Sequence, residues 1–192
     1  MLLAPEFAEV LGLPALTGAD VGDARVDATT ADDEVSGLFL DLRDITGDVA
    51  TSFIVNREAA SRNFVSFYRV TDTDGGIDTT GDGVGDLLPG DAGYADAAIE
   101  ARLDDLALTT PNRIQSVFDL TLPGGDLYAP LLIADGTPDG FDPGRIFFAF
   151  PAANPNGFEN IRFRDGVIEF EDIAGGGDQD FNDIVLQVAT TV

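Results

Sequence analysis

"VIEFEDIAGGGDQDFNDIVLQV", residues 167–188, reads as two strands joined by a glycine turn. Ile168 and Phe170 alternate with Glu169 and Glu171, the period-two pattern of a strand with one buried face. Gly175, Gly176 and Gly177 break that pattern, and a second apolar run begins after Asp183. On this reading Glu169 and Glu171 point to one face, Asp172 follows them, and Asp178, Asp180 and Asp183 return toward the same region. Unpaired carboxylates are costly to bury, so convergence there calls for a positive charge among them. The plain alternative is a polar hairpin facing water, with Asp183 bonding backbone amides.

Outward from this hairpin the same texture repeats. The runs 35–42, 50–55, 64–71, 114–122, 127–133, 145–150, 158–164, 167–171 and 183–192 are short, rich in β-branched and aromatic residues, and separated by Gly, Pro, Asn and Asp. So many short strands predict a mainly β protein, a jelly-roll-like antiparallel β-sandwich. One helical insertion is expected over residues 90–106, where Ala and Leu recur at helical spacing behind Asp91 as N-cap. Residues 1–34 read as an apolar N-terminal arm and lead-in. Leu3, Phe7, Val10 and Leu11 sit at helical spacing between Pro5 and Pro14. The arm packs on its own domain or docks on a neighbouring copy, and residues 35–192 form the domain proper.

Charge narrows the partners. The 192 residues carry 35 acidic and 10 basic side chains, a formal charge of −25, yet 44% are hydrophobic, so the chain folds. Such a charge repels nucleic acid and anionic membrane and attracts cations. Every basic residue is Arg, and Asp outnumbers Glu. An acidic surface suited to high salt is the simpler account and is compatible with metal sites. His and Cys are both absent, which removes disulfides, thiolate sites and the usual zinc, copper and haem ligands. Hard cations with oxygen ligands remain. Nothing resembles a membrane span, and "MLLAPEFAEV" lacks the basic and long apolar regions of a signal peptide, so a secreted protein would here be in mature or trimmed form.

A second acidic loop, "DTDGGIDTTGDGVGDLLPGD" at 72–91, holds Asp72, Asp74, Asp78, Asp82 and Asp86 among glycines. Carboxylates at near-alternate positions of a tight glycine-rich turn can converge on one ion, with backbone carbonyls joining as ligands. From Asp78 the run follows an EF-hand loop through Asp82, Gly83 and Asp86, but Pro89 stands where the bidentate Glu belongs. The expectation is a looser calcium loop, with a solvated acidic turn as the alternative.

The run "FEDIAGGGDQDFNDIVLQV" resembles the C-terminal signature of domain-of-unknown-function family 4114. "FVSFYRVTDTDGGI", "LLPGDAGYADAAI" and "IFFAFPAANPNGFENIRF" resemble its earlier blocks, so the likeness spans residues 35–189. It implies an extracellular or cell-surface, cation-dependent module, with Glu171, Asp172, Asp178, Asp180 and Asp183 as the matching acidic positions and calcium (Ca2+) as the ion. The functional expectation is a structural or adhesive module that self-assembles as a homo-oligomer or polymer into a surface layer, matrix or filament. The apolar arm and the apolar final strand are the candidates for pairing with a neighbour. Calcium-dependent glycan binding is the alternative, although Tyr68, Tyr94 and Tyr128 are the only Tyr and Trp is absent. No enzyme is expected: without His, Cys or Lys, the common nucleophile arrangements are missing, leaving a carboxylate-pair glycosidase as the one class open.

Overall fold

The computed structural model describes residues 38–191, so the expected arm at 1–34 lies outside the described residues. Nine strands appear in chain order: β1 (Leu40–Asp41), β2 (Asp48–Arg57), β3 (Asn63–Val70), β4 (Gln115–Pro123), β5 (Leu127–Ala134), β6 (Ile146–Phe148), β7 (Ile161–Arg164), β8 (Val167–Phe170) and β9 (Ile184–Thr191). They form two antiparallel sheets. In one, β5 pairs with β3 along one edge and with β1 and β6 along the other; the second runs β4-β2-β9-β8-β7.

Alternation decides how the sheets stack. Val49, Thr51, Phe53 and Val55 of β2 are buried between more exposed neighbours, so this strand has one inward face. Phe53 meets Phe67 of β3 across the sheets, with ring centroids 5.8 Å apart. The next residue, Tyr68, points the other way and contacts Tyr94 and Phe148 edge-on. Tyr94 opens the helix α1 (Tyr94–Glu100), so the four-stranded sheet is covered on both faces, and all eight residues of β5 are buried. The result is a β-sandwich with a thin helical layer outside one sheet. No described helix is long and apolar enough to cross a membrane.

One expectation is corrected here. The helix has seven residues instead of seventeen, and its N-cap is Gly93 rather than Asp91, whose Oδ2 accepts the Leu88 N–H at 2.8 Å. The chain leaves the helix because a better offer is nearby. Arg69 N–H bonds Ala101 O, and the Leu103 and Leu108 N–H groups bond Phe67 and Val65 carbonyls, which ties residues 101–108 to the free edge of β3. The final strand, β9, pairs with β2 along its whole length but with β8 only over residues 184–186, so from Gln187 onward its second edge has no strand partner among the described residues.

The two acidic loops lie at opposite ends of β3. Asn63 at its start bonds Asp172, whereas the 72–91 loop follows its last residue, Val70. Eight residues of strand separate them by about 25 Å.

Candidate metal centre

Strand β8 ends at Phe170. Glu169 lies on the outer face, where Arg162 Nε donates to it at 2.6 Å and Arg164 Nη2 at 3.1 Å. Glu171 keeps a ladder-like bond, its N–H donated to Asn160 O at 2.8 Å, yet its side chain is fully enclosed, at 0% exposure.

The turn that follows is tightly wound. Gly175, Gly176, Gly177, Gln179 and Phe181 all have positive φ. A side chain at Gly176 would overlap the Phe158 ring, and a Cβ at Gly177 would lie 2.6 Å from Glu171 Oε1. Glycine is what lets the main chain pass directly over this carboxylate. Phe181, held at φ 55, stacks on Phe158 and lies beneath the Arg162 guanidinium, 3.6 Å from the ring centroid. Behind the turn, buried Asn160 donates to the carbonyls of Glu171 at 2.9 Å and Ile173 at 3.0 Å.

This winding brings Glu171, Asp178 and Asp180 together. Each offers a carboxylate oxygen, and the three oxygens lie within 4.8 Å of one another. Both Glu171 oxygens are buried without a hydrogen-bond partner. Burial, then the charges of Asp183 and Asp178, push the Glu171 carboxyl up to about 7. The cover is thin, because Ile173, Ala174, Asp178 and Asp180 are exposed. Asp183 lies against Glu171 and is raised chiefly by burial, while the Asp172 N–H, donated to its Oδ2 at 2.8 Å, pulls the other way. Once Glu171 ionises, two carboxylates lie side by side with no proton to share, so the pair then lacks a donor. Asp172, buried, accepts from Asn63 Nδ2 at 2.8 Å, and Asp180 accepts from Asn182 Nδ2 at 2.7 Å.

The donor set suits a hard cation. Ligand oxygens 2.3 to 2.6 Å from one ion are separated by at most about 5 Å, which matches the observed spacing. The acidic triad could hold a metal ion, and the orphaned Glu171 oxygens are the groups such an ion would satisfy.

The 72–91 loop is built differently. Asp78 accepts N–H groups from Thr80, Gly81 and Gly83; Asp86 accepts from Thr79 and Thr80; Asp72 accepts from Asp74 and Gly76; Asp82 accepts from Val84. These bonds hold the Asp78 and Asp86 carboxyls below the ordinary carboxylate range. Asp74 offers no third oxygen nearby: among the described residues the only acidic triad of ligand spacing is Glu171, Asp178 and Asp180. Asp72, Asp78, Asp82 and Asp86 are placed as self-bonded turns. Tyr68, Tyr94 and Tyr128 are buried and form no surface platform. Asn63 and Asn160 were not visible as parts of the site. Asn63 lies 109 residues from Asp172, and no local pattern links them.

Residues 122–191 match a family model, described as Domain of unknown function (DUF4114). Over this segment the chain is similar to DUF4114. The DUF4114 segment takes in the end of β4 and everything from β5 to β9, including the whole 171–183 turn, and leaves out the 72–91 loop. It is narrower than the likeness read over residues 35–189. No curated protein and no solved structure matches the chain.

Proposed function

We propose that the protein is a calcium-stabilised β-sandwich module that works outside the cell in a structural or adhesive role. One observation carries the reading: Glu171 is enclosed, both its oxygens lack partners, and it faces two further carboxylates at ligand spacing. A site with three carboxylates on a thin, partly exposed turn falls among the weaker calcium sites, with Kd of about 0.1 to 1 mM. Such a site fills where calcium is millimolar, which favours the cell exterior. A few millimolar calcium then stabilises the fold by roughly 1 to 2 kcal/mol.

The ion's task is mechanical. It pins the turn between β8 and β9, and through Asp172 and Asn63 it ties that turn to the opposite sheet. An extracellular module that assembles with copies of itself, or bears load in a surface layer, gains from such a lock. The test is thermal unfolding at fixed ionic strength with calcium, magnesium and chelator. Calcium should raise Tm by a few degrees, with a smaller gain from magnesium, which demands tighter octahedral geometry. Identical melting curves in calcium and in chelator would reject the reading.

A further inference from the structure

An open sheet edge presents a row of unpaired main-chain groups that another strand can take up. Most edges here are guarded. The outer edge of β3 is bonded by residues 101–108, through Leu103 N–H to Phe67 O and Leu108 N–H to Val65 O. β1, β6 and β7 span only two, three and four residues, and β7 carries Arg162 and Arg164. The open stretch of β9 lies beside the β7–β8 hairpin, inside the rim of its sheet. β4 is different. It is the terminal strand of the five-stranded sheet, runs for nine residues, and pairs with β2 in a register that skips no residue from Gln115 to Pro123. No bulge interrupts it, its only Pro is the last residue, and its only charge is Asp119.

The phase of the ladder tells which groups face out. Glu58 N–H bonds Asp183 O, one step beyond the Arg57–Ile184 pair. Main-chain groups alternate sides along a strand, so even-numbered residues of β2 turn theirs to β9 and odd-numbered ones to β4. Val49, Thr51, Phe53 and Val55 therefore bond Leu122, Leu120, Phe118 and Ser116. The N–H and C=O groups of Gln115, Val117, Asp119 and Thr121 point away from the sheet, where no strand among the described residues meets them. Val117, Asp119 and Thr121 are exposed, while Phe118 and Leu120 reach the core from the rim and stay half-buried.

We infer that β4 pairs antiparallel with β4 of a second copy across a two-fold axis, joining the two five-stranded sheets into one. Charge favours a copy as the occupant. Chains of charge −25 repel, so they meet where charge is sparse, and β4 has one charged residue in nine against 23% in the whole chain. A basic partner would find no acidic row here. The strand is also self-complementary in one register. Centred on Phe118, the pairing sets Gln115 opposite Thr121 and Val117 opposite Asp119 of the other copy, so every outward N–H and C=O is bonded. Centring on Val117 carries Thr121 past the end of the strand, and centring on Asp119 sets two like charges face to face. At Phe118 the copies form a pair without hydrogen bonds, with Cα atoms about 4.5 Å apart, and the two rings cover the flank of the core that each copy leaves half-open. The contact deepens the structural role proposed above and rests on that reading for its use, but it needs no cation.

The test is sedimentation velocity of the full chain over rising concentration at physiological ionic strength, in calcium and again in chelator. A reversible dimer is expected in both. Val117→Pro removes an outward donor and leaves the ladder to β2 intact, so it should weaken the dimer about tenfold or more while the Tm of the monomer is kept. Val117→Asp, which sets a carboxylate opposite Asp119 of the other copy, should weaken it likewise and decides the matter if the proline variant does not fold. The chain has no Cys, so single cysteines read the register. Phe118→Cys should cross-link to its own counterpart under mild oxidation, and Thr121→Cys should not, because its counterpart lies about 20 Å away. A monomer at every concentration up to millimolar overturns the proposal. So does a dimer that both Val117 variants leave intact, or cross-linking through Thr121→Cys and not Phe118→Cys. A dimer seen only in calcium and untouched by the Val117 variants reassigns association to cation bridging and overturns it as well. A Val117-sensitive dimer in chelator, with no calcium effect on Tm, sustains the contact while removing the calcium reading; a monomer whose Tm calcium raises does the opposite.

Discussion

Replacing Glu171 by Gln separates the cost of a buried carboxylate from its use. In the metal-free protein its carboxyl is raised from 4.5 to about 7. A carboxyl whose folded pKa lies above its unfolded value destabilises the fold as it ionises. Stability is therefore lost as pH rises from about 4.5 to about 7 and stays lost above that. At 1.36 kcal/mol per unit the penalty is roughly 3 kcal/mol, and solvent near the thin cover lowers it toward about 2. Asp183, raised in the same direction, adds to the slope. Glu171→Gln removes the charge, keeps the volume and supplies an N–H donor to the carboxylates around it. In chelator at pH 8 its Tm should exceed that of the parent by about 4 to 8 °C, and the gap should close by pH 5. In calcium the order reverses in kind: the parent gains and the variant does not. Differential scanning calorimetry over pH 5 to 8, with and without calcium, reads all four corners. A variant less stable than the parent in chelator, or one that gains as much from calcium, refutes the reasoning.

The turn and the second loop make their own predictions. Gly176→Ala forces a side chain into the Phe158 ring at a φ of 91, and should cost roughly 1 to 3 kcal/mol, seen as a Tm drop of about 5 °C in calcium and chelator alike. A drop confined to calcium would mean that Gly176 serves the ion and not the packing. Asp78→Asn should speed hydrogen exchange at the Gly81 and Gly83 amides, which the carboxylate holds at 2.6 and 2.7 Å. Because the Asp78 carboxyl is depressed in the fold, its contribution is present above its unfolded value of 3.8 and fades as pH falls through the lower folded value, so acid should loosen the parent turn likewise. Unchanged protection of those two amides in the variant would show that the turn is held by other means.

Strand patterning in this chain is a local property, and it was legible. Alternation within β2, the apolar run of β5 and the Gly-rich breaks depend on neighbours two residues apart, so the nine strands fall close to where the residue pattern puts them. What failed was whatever depended on a partner far along the chain. The helix pattern over 90–106 is real, but the edge of β3, some thirty residues earlier, captures residues 101–108 and ends the helix at Glu100.

The acid-rich composition, with no His and no Cys, by itself determined that any metal here would meet oxygen ligands, and it named both loops as candidates. It could not rank them. Both are Asp-rich and Gly-rich, and the difference between a self-bonded turn and a cluster with an orphaned buried carboxylate is one of three-dimensional direction. That direction was decided by how the chain folds back: Glu169 is held by Arg162 and Arg164, while the main chain at Gly177 passes directly over the Glu171 carboxylate and shuts it from solvent. Glycine permits that close approach, and only the tertiary pairing of β7, β8 and β9 puts the turn in place to make it.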